Sequence, residues 1–444
     1  MTGDIGAPEF SVRVDQNRFL PLGGTDVHAV VEVAAAGVPD RRPRDGDGSD
    51  GLALVPTAPD AAEVVIIDTS ASMRGEKIAA ARRAAVAAVA ALREGVLFAI
   101  VAGSGDAAMV YPGERRLVAA TPRTRAAAAR AVGGLAAGGG TRMGVWLRAA
   151  GELFAAPDTP ALRHAILITD GLDNELPGGL DEALKEVAGR FVCDCRGVGT
   201  SWSVDELRRI SSALMGGMGI IADPADMAAD VRAMTEAAMG KTVADVALRL
   251  WIPQAAQVRF IRQVAPAVQD LRRIGRGPQV ADYPLGAWGD EARDYHVCVA
   301  VPPGTPGRRM RAGWVRVVAG ERVLASGDIL AEWTADGDRS ARIDARVAHY
   351  TGQTRLARAV REGLDARRRG DTDTATARLG RAVALAHAFG NEATAALLRK
   401  VVDVVDPETG TVRLRSSVAE VDEMTLDTDS TRTVRTRTAD PAEG

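Results

Sequence analysis

One segment of this chain reads Val64-Val65-Ile66-Ile67-Asp68-Thr69-Ser70-Ala71-Ser72-Met73. The four apolar residues that begin it are typical of a strand buried on both faces of a parallel sheet. Asp68 then ends the strand, and Ser70 and Ser72 lie in the following loop, where open α/β sheets generally bind ligands. Carboxylate and hydroxyl oxygens favour a hard cation such as Mg²⁺. The segment therefore predicts a metal site, although an isolated Asp-x-Ser-x-Ser also fits a polar turn.

Two further segments extend this pattern. Gly138-Gly139-Gly140-Thr141 precedes a predicted helix over residues 142–154, which places the Thr141 hydroxyl near the start of that helix. A second apolar run, residues 165–168, is followed by Thr169-Asp170-Gly171. This run predicts another buried strand with an aspartate at its carboxyl end.

Taken together, these residues resemble the von Willebrand factor type A (VWA) domain with an intact metal-ion-dependent adhesion site (MIDAS). The resemblance covers roughly residues 60–240 and implies a doubly wound, Rossmann-like α/β fold. It also implies that two serines and a threonine offer hydroxyl oxygens and that two aspartates ligate the ion directly or through water. The predicted metal ligands are Asp68, Ser70, Ser72, Thr141 and Asp170, and the implied ion is Mg²⁺, with Mn²⁺ or Ca²⁺ as alternatives.

The rest of this region alternates between helical and strand-like patterns. Residues 77–92 carry an apolar stripe at helical spacing, and residues 96–101 form an apolar run. The alternation continues to residue 239, which predicts a parallel sheet with helices between its strands.

Strand-like segments also lie on both sides of this region. Residues 1–38 contain two of them, and residues 243–335 contain five short alternating runs separated by Gly and Pro, which predicts an antiparallel sandwich. Two strands are too few to be stable alone, so we expect the first pair to join the later set. The charged, Gly- and Pro-rich residues 39–59 are predicted to be a flexible linker.

The carboxyl-terminal part returns to helical spacing. Three helices are predicted between residues 341 and 405, at 347–368, 372–389 and 392–405, with Gly370-Asp371 and Gly390-Asn391 between them. A small bundle docked on the sandwich is the simpler interpretation, and a tetratricopeptide hairpin is the alternative.

Residues 416–444 lose apolar periodicity, which predicts a disordered, threonine-rich tail. A solvating tail is the plain interpretation. The alternative is a substrate of a Ser/Thr kinase that presents phosphothreonine to a forkhead-associated domain. The possible phosphorylation sites are Thr425, Thr428, Thr431, Thr433, Thr436 and Thr438.

Composition restricts the functional classes. The formal net charge is −3 and the pI is about 6.1, which gives no electrostatic footprint for nucleic acid. Only four of the 55 basic residues are lysines, a bias typical of a GC-rich bacterial genome. The amino terminus has no signal-peptide pattern and no run of 18 apolar residues occurs, so we expect a cytoplasmic protein without a membrane segment. The cysteines are predicted to be free buried thiols, namely Cys193, Cys195 and Cys298.

Enzyme motifs are not supported by the sequence. Met239-Gly240-Lys241-Thr242 resembles the end of a phosphate-binding loop, but position 235 is Thr where the motif requires Gly. The five histidines lack ligand spacing. They are His28, His164, His296, His349 and His387, and each is predicted to be satisfied or exposed.

We therefore predict a binding protein, not an enzyme. The resemblance implies a metal-dependent interaction module that binds an Asp or Glu of a partner protein in an intracellular bacterial assembly or signalling complex. The alternative is an accessory or regulatory subunit of an AAA+ ATPase machine of the MoxR or chelatase type.

Overall fold

The computed structural model describes residues 8–37 and 60–433. The predicted linker, residues 39–59, lies outside these ranges. The chain forms two compact units. The first contains most of residues 36–246, and the second combines residues 10–35, 247–285 and the chain from residue 291 onward.

Three strands precede the α/β unit: β1 (Glu9–Gln16), β2 (Phe19–Pro21) and β3 (Asp26–Ala36). The strands of the α/β unit are β4 (Ala61–Asp68), β5 (Leu97–Gly103), β6 (Ala107–Tyr111), β7 (Val118–Ala119), β8 (Leu162–Thr169), β9 (Val192–Val198) and β10 (Met218–Ile221). Its helices are α1 (Glu76–Ala91), α2 (Pro122–Gly133), α3 (Met143–Phe154), α4 (Gly179–Val187), α5 (Val204–Ala213) and α6 (Met227–Met239).

The sheet of this unit has the order β10-β9-β8-β4-β5-β6, with β7 also paired to β5. The five strands from β10 to β5 are parallel, and β6 and β7 add antiparallel pairing at the β5 side. All eight residues of β4 are buried, as expected for a central strand covered on both faces. The predicted doubly wound α/β fold is confirmed.

The last residue of β5 is a glycine, and a tryptophan occupies the space beside it. Trp146 of α3 is fully buried, and its indole N–H donates to the Ser104 carbonyl oxygen at 2.7 Å. A Cβ atom at Gly103 would collide with the indole ring of Trp146. Gly103 therefore allows α3 to pack closely against β5.

The second unit contains a two-stranded hairpin and two larger sheets. The remaining strands of the larger sheets are β11 (Val243–Trp251), β12 (Gln257–Ala265), β13 (Gln269–Asp270), β14 (Ile274–Gly275), β15 (Val280–Trp288), β16 (Glu291–Ala300), β17 (Arg309–Ala319) and β18 (Arg322–Thr334). One sheet has the order β1-β3-β16-β12-β13, and the other β14-β15-β11-β17-β18-β2. A Cβ atom at Gly327 in β18 would meet the Val12 and Val14 side chains of β1 within 3 Å, so the two sheets pack closely there.

The amino-terminal strands complete these sheets. β3 pairs with β16 over ten residues, from Ala35 opposite Glu291 to Asp26 opposite Ala300, and so lies between β1 and β16. β2 adds in parallel to the end of β18. The structure thus places the early strands and the later strands in common sheets.

The first helices of the second unit are α7 (Gly337–Ala341), α8 (Ala345–Arg368), α9 (Thr372–Ala388) and α10 (Glu392–Val401). Asp371 and Asn391 cap α9 and α10 by accepting hydrogen bonds from the backbone N–H groups of Thr374 and Thr394, as the Gly-Asp and Gly-Asn pairs predict.

The predicted third helix, residues 392–405, is too long. It ends at Val401, and the following residues form a hairpin of β19 (Val402–Asp406) and β20 (Thr411–Leu414). The hairpin packs on α9 through a close approach of Gly410 and Gly380, where a Cβ atom on either would collide with the other's carbonyl oxygen. Packing against α9 thus favours a strand over the local helical pattern.

The prediction of disorder from residue 416 is also wrong for the described part of this segment, because residues Glu420–Asp429 form α11. Leu426 is fully buried in the helical core, and Arg367 of α8 pairs with Glu423 at 2.6 Å. Burial of Leu426 and ion pairs between helices therefore stabilise a helix in this segment, although its own composition is polar.

Candidate metal centre

The first part of the site is the loop after β4. Asp68 is fully buried, and its Oδ1 accepts a hydrogen bond from the Ser70 backbone N–H at 2.7 Å. The hydroxyl groups of Ser70 and Ser72 are 2.9 Å apart. The chain turns through a short 3-10 helix, Ala71–Met73, so that Asp68, Ser70 and Ser72 face a common space.

The second part comes from the end of β8, which is the parallel neighbour of β4. The Ser72 hydroxyl donates to Asp170 Oδ1 at 2.7 Å, and the Thr169 hydroxyl donates to Asp68 Oδ2 at 2.6 Å. Asp170 is fully buried. Pairing of the two strands therefore brings carboxylates that are about a hundred positions apart in sequence into one hydrogen-bonded cluster.

Thr141 completes the predicted set from the third loop. A Cβ atom built on Gly171 would lie 2.9 Å from the Thr141 hydroxyl oxygen, 3.5 Å from that of Ser72 and 3.7 Å from Asp68 Oδ2. The oxygens thus surround a small space that glycine leaves open. The structure brings all five predicted residues together at the carboxyl end of the parallel sheet.

Backbone and side-chain hydrogen bonds hold the three loops in position. The Thr141 carbonyl oxygen accepts from the Asn174 backbone N–H at 2.6 Å, and the Asn174 side chain accepts from the Thr141 N–H at 3.2 Å. Asp173 and Glu175 accept from the N–H groups of Met143 and Gly144, the first residues of α3, each at 3.0 Å. These carboxylates therefore cap α3 and fix the loop that carries Thr141.

Glu152 does not belong to this cluster. It is exposed and pairs with Arg115, which is equally exposed, at 2.5 Å.

Lys77 was not among the predicted site residues. Its Nζ atom lies 2.5 Å from Asp170 Oδ2, and its side chain is 28% exposed. Lys77 is in the first turn of α1, immediately after the serine loop. The chain thus supplies one cation of its own to a site with two buried carboxylates. Lys77 follows Ser72 by five positions, but this spacing does not indicate that its ammonium turns towards Asp170.

The residues present fit a hard divalent cation. Their atoms are two carboxylates and three hydroxyls, and the two formal negative charges face a single ammonium. Burial raises the pKa of Asp68, although hydrogen bonds from Ser70 and Thr169 partly offset this effect. The described residues contain no cluster of three or more Asp, Glu, His or Cys that could hold a metal, so the fit depends on the hydroxyl groups.

Most of the threonines predicted as phosphorylation sites donate hydrogen bonds to backbone carbonyl oxygens. The hydroxyl groups of Thr425 and Thr428 donate to the carbonyl oxygens four residues earlier in α11, and Thr428 is only 2% exposed. The hydroxyl of Thr431 donates to Thr428 O, and that of Thr433 donates to Val264 O. Phosphorylation of Thr428 would therefore require α11 to open. The remaining candidates, Thr436 and Thr438, lie outside the described residues.

The histidines and cysteines lie elsewhere in the two units. His28 contacts His296 through Nδ1 and Cys298 through Nε2, so the two contacts use opposite ring nitrogens and cannot share one ion. Cys193 and Cys195 are free and buried, as is Cys298. In the part of the chain described by the structure, no helix is both long and apolar enough to cross a bilayer.

Comparison with known proteins identifies the family. Residues 62–219 match the von Willebrand factor type A domain family, and residues 384–430 match the von Willebrand factor type A C-terminal domain family. A solved von Willebrand factor type A protein from Catenulispora acidiphila is 46% identical, with a TM-score of 0.89, over 98% of this chain and 99% of that one. The chain therefore belongs to the von Willebrand factor type A family, which is known for protein–protein interaction.

Two more distant similarities are informative about coverage and fold. The ArnB paralog VWA2 from Sulfolobus acidocaldarius shares the fold at 16% identity and a TM-score of 0.56, over 96% of this chain and 98% of that one. An uncharacterized protein of Synechocystis sp. is 29% identical over 223 residues, which are 48% of this chain and 50% of that protein. The chain thus spans about half the length of this curated relative.

Proposed function

We propose that this protein is a metal-dependent interaction module whose cation is held by Asp68, Ser70, Ser72, Thr141 and Asp170, and whose partner contributes an Asp or Glu. The observation that carries the proposal is the convergence of these five side chains, from three loops, around the space beside Gly171. Mg²⁺ is the cation that this oxygen set suits best, with Mn²⁺ and Ca²⁺ as alternatives.

The chain's own residues prepare the site for this role. The hydrogen bonds from Ser70 N–H and Thr169 hold the Asp68 carboxylate, and the Ser72 hydroxyl links Ser70 to Asp170. These oxygens are thus already oriented, so little side-chain entropy is lost on binding. The cation would supply a positive charge to which a partner carboxylate can bind.

The decisive experiment is affinity capture from the native cell lysate with the wild type and Asp68→Ala, each in Mg²⁺ and in EDTA. We expect the wild type to retain a partner in Mg²⁺ and to release it in EDTA. The amount of captured partner should fall at least about tenfold with Asp68→Ala, because the buried ligand set loses a carboxylate. Mass spectrometry would identify the partner. The matched control is Asp106→Ala, which removes an exposed carboxylate from the loop after β5.

The proposal would fail if capture is unchanged by EDTA and by Asp68→Ala while calorimetry shows that Asp68→Ala has lost Mg²⁺ binding. In that case the partner binds elsewhere. An ATPase among the metal-dependent partners would support the alternative of an accessory subunit of an ATPase machine.

Lys77→Met is expected to increase the affinity for Mg²⁺ or Mn²⁺ by about tenfold. Lys77 is paired with Asp170. When a divalent cation binds, the lysine ammonium must either leave the Asp170 carboxylate or share it with a second positive charge. Isothermal titration calorimetry measures the change directly. Lys185→Met, at an exposed position in α4, is the matched control and should leave the affinity unchanged. An affinity for Lys77→Met equal to or lower than that of the wild type would contradict the competition between lysine and metal.

A further inference from the structure

A cleft of about 560 Å³ opens between the two sheets of the second unit. One wall is the first half of β12, including Phe260 and Ile261, and another is β15, which contributes Tyr283. The segment of residues 270–273 crosses from one sheet to the other and closes one side, because β13 pairs with β12 and β14 pairs with β15. The size of the cleft falls in the range of small-molecule sites.

A buried tyrosine whose hydroxyl lacks a well-placed hydrogen-bond partner lines this cleft. Tyr283 is 2% exposed, and its Oη atom has no hydrogen-bond partner of good geometry among the described residues. Burial raises the pKa of Tyr283, with partial compensation from the nearby Arg273 guanidinium, so the hydroxyl keeps its proton and can donate. A buried polar atom of this kind normally has a partner, and the cleft is the place from which one can come.

The charges around the cleft are predominantly positive. Arg273 is exposed and has no carboxylate partner among the described residues. Arg259 faces only Asp26, at 3.5 Å, and both side chains are about half exposed, so this pair contributes little. The acidic residue of the lining, Asp270, is neutralised by Arg262 at 2.6 Å. The lining therefore presents two available guanidinium groups.

The remaining surface of the cleft is largely apolar. The apolar side chains that line it are those of Ile252, Val258, Phe260, Ile261 and Leu271. An apolar surface with a few convergent polar groups selects a ligand that has a hydrocarbon body and one charged end.

We propose that this cleft binds a small organic acid, in which a carboxylate accepts a hydrogen bond from Tyr283 Oη and pairs with Arg273 while its apolar chain or ring packs against Phe260 and Leu271. Arg259 adds a second positive charge at the entrance. The site lies in a different unit from the metal ligands, and the proposal does not depend on the metal.

The test uses 4-phenylbutyrate as the probe and the full chain as the protein, with binding measured by isothermal titration calorimetry and ligand-observed NMR. We expect saturable binding to the wild type, and about tenfold weaker binding to Tyr283→Phe and to Arg273→Gln, since each removes one bond to a charged group. The uncharged 4-phenylbutanamide should bind at least about tenfold more weakly than the acid.

Arg272→Gln is the matched control, because it makes the same charge change at the adjacent exposed residue, which does not line the cleft. It should bind the probe as the wild type does, and so should Asp68→Ala. Tyr283→Phe should fold with unchanged or slightly higher stability, because its hydroxyl has no internal hydrogen-bond partner of good geometry.

Three results would overturn the proposal: no saturable binding of the acid to the wild type, equal binding of the acid and the amide, or equal losses for Arg272→Gln and Arg273→Gln. A marked loss of stability in Tyr283→Phe would show that the hydroxyl has a structural role instead.

Discussion

Replacing Arg346 by alanine is expected to lower the free energy of unfolding of the second unit by about 3–5 kcal/mol. Arg346, in the first turn of α8, is 4% exposed, yet it is charged. Its guanidinium pairs with Asp15 at 2.7 Å, Glu32 at 2.5 Å and Asp294 at 2.9 Å. It therefore ties α8 to strands β1, β3 and β16.

The large expected effect arises from the groups that the substitution leaves behind. Asp294 is fully buried and also accepts a hydrogen bond from the Tyr350 hydroxyl. Without the guanidinium, Glu32 keeps its ion pair with Arg13 at 2.9 Å, but the buried Asp294 carboxylate loses the cation that lies 2.9 Å from it. An uncompensated buried charge costs much more than the net value of the original ion pair.

Urea denaturation followed by circular dichroism measures this change, and hydrogen exchange of α8 locates it. The matched control is Arg358→Ala, on the same helix, whose side chain is 80% exposed and pairs with Glu362 at 2.6 Å. The control should cost no more than about 0.5 kcal/mol. Equal effects of the two substitutions would mean that burial of the Arg346 cluster adds nothing to the stability of the second unit.

His164→Ala is expected to destabilise the α/β unit by about 3–5 kcal/mol. The imidazole lies between two carboxylates on neighbouring strands, with Nδ1 2.9 Å from Glu63 Oε2 and Nε2 3.2 Å from Asp194 Oδ2. Glu63 is fully buried, and burial raises its pKa. Removing the imidazole leaves two acidic groups facing each other across β8.

The effect should depend on pH. Burial disfavours the charged imidazole, but Glu63 and Asp194 outweigh this effect and raise the pKa of His164 from 6.5 to about 10. The charged form therefore contributes fully below the unfolded value of 6.5, and its contribution is lost as the pH rises through 10. We expect the difference in stability between the wild type and His164→Ala to shrink across this interval.

Urea denaturation at a series of pH values between about 6 and 10 tests this expectation. His387→Ala, at an exposed position of α9, is the control and should change stability by less than about 0.5 kcal/mol at every pH. A difference for His164→Ala that stays constant or grows with pH would show that the imidazole is neutral in the folded protein.

Local patterns in the sequence were sufficient for the parts of the metal centre that are set by a single strand and its loop. The apolar run before Asp68 forces β4 into the middle of the sheet, and the same applies to the run before Asp170. Because carboxyl ends of parallel strands share one edge, the convergence of the two loops could be expected from these runs alone.

Contacts between distant segments could not be predicted in this way. The pairing of Lys77 with Asp170 and the capping of α3 by Asp173 and Glu175 depend on side-chain directions that have no periodic signal. The polar segment at residues 420–429 is helical because Leu426 enters a core built by other helices. The low hydrophobicity of this segment, taken alone, predicts disorder.

Short-range patterns were enough to predict the α/β class, the order of its elements and the set of oxygen-bearing side chains at the ends of β4 and β8, because strand burial and loop chemistry depend on neighbouring residues. Only the folded chain shows that β3 lies beside β16, that Arg346 joins three acidic residues, and that Tyr283 lines a cleft between sheets. Each of these depends on which distant segments meet, and the free energy of those contacts is shared between residues that are far apart in the chain.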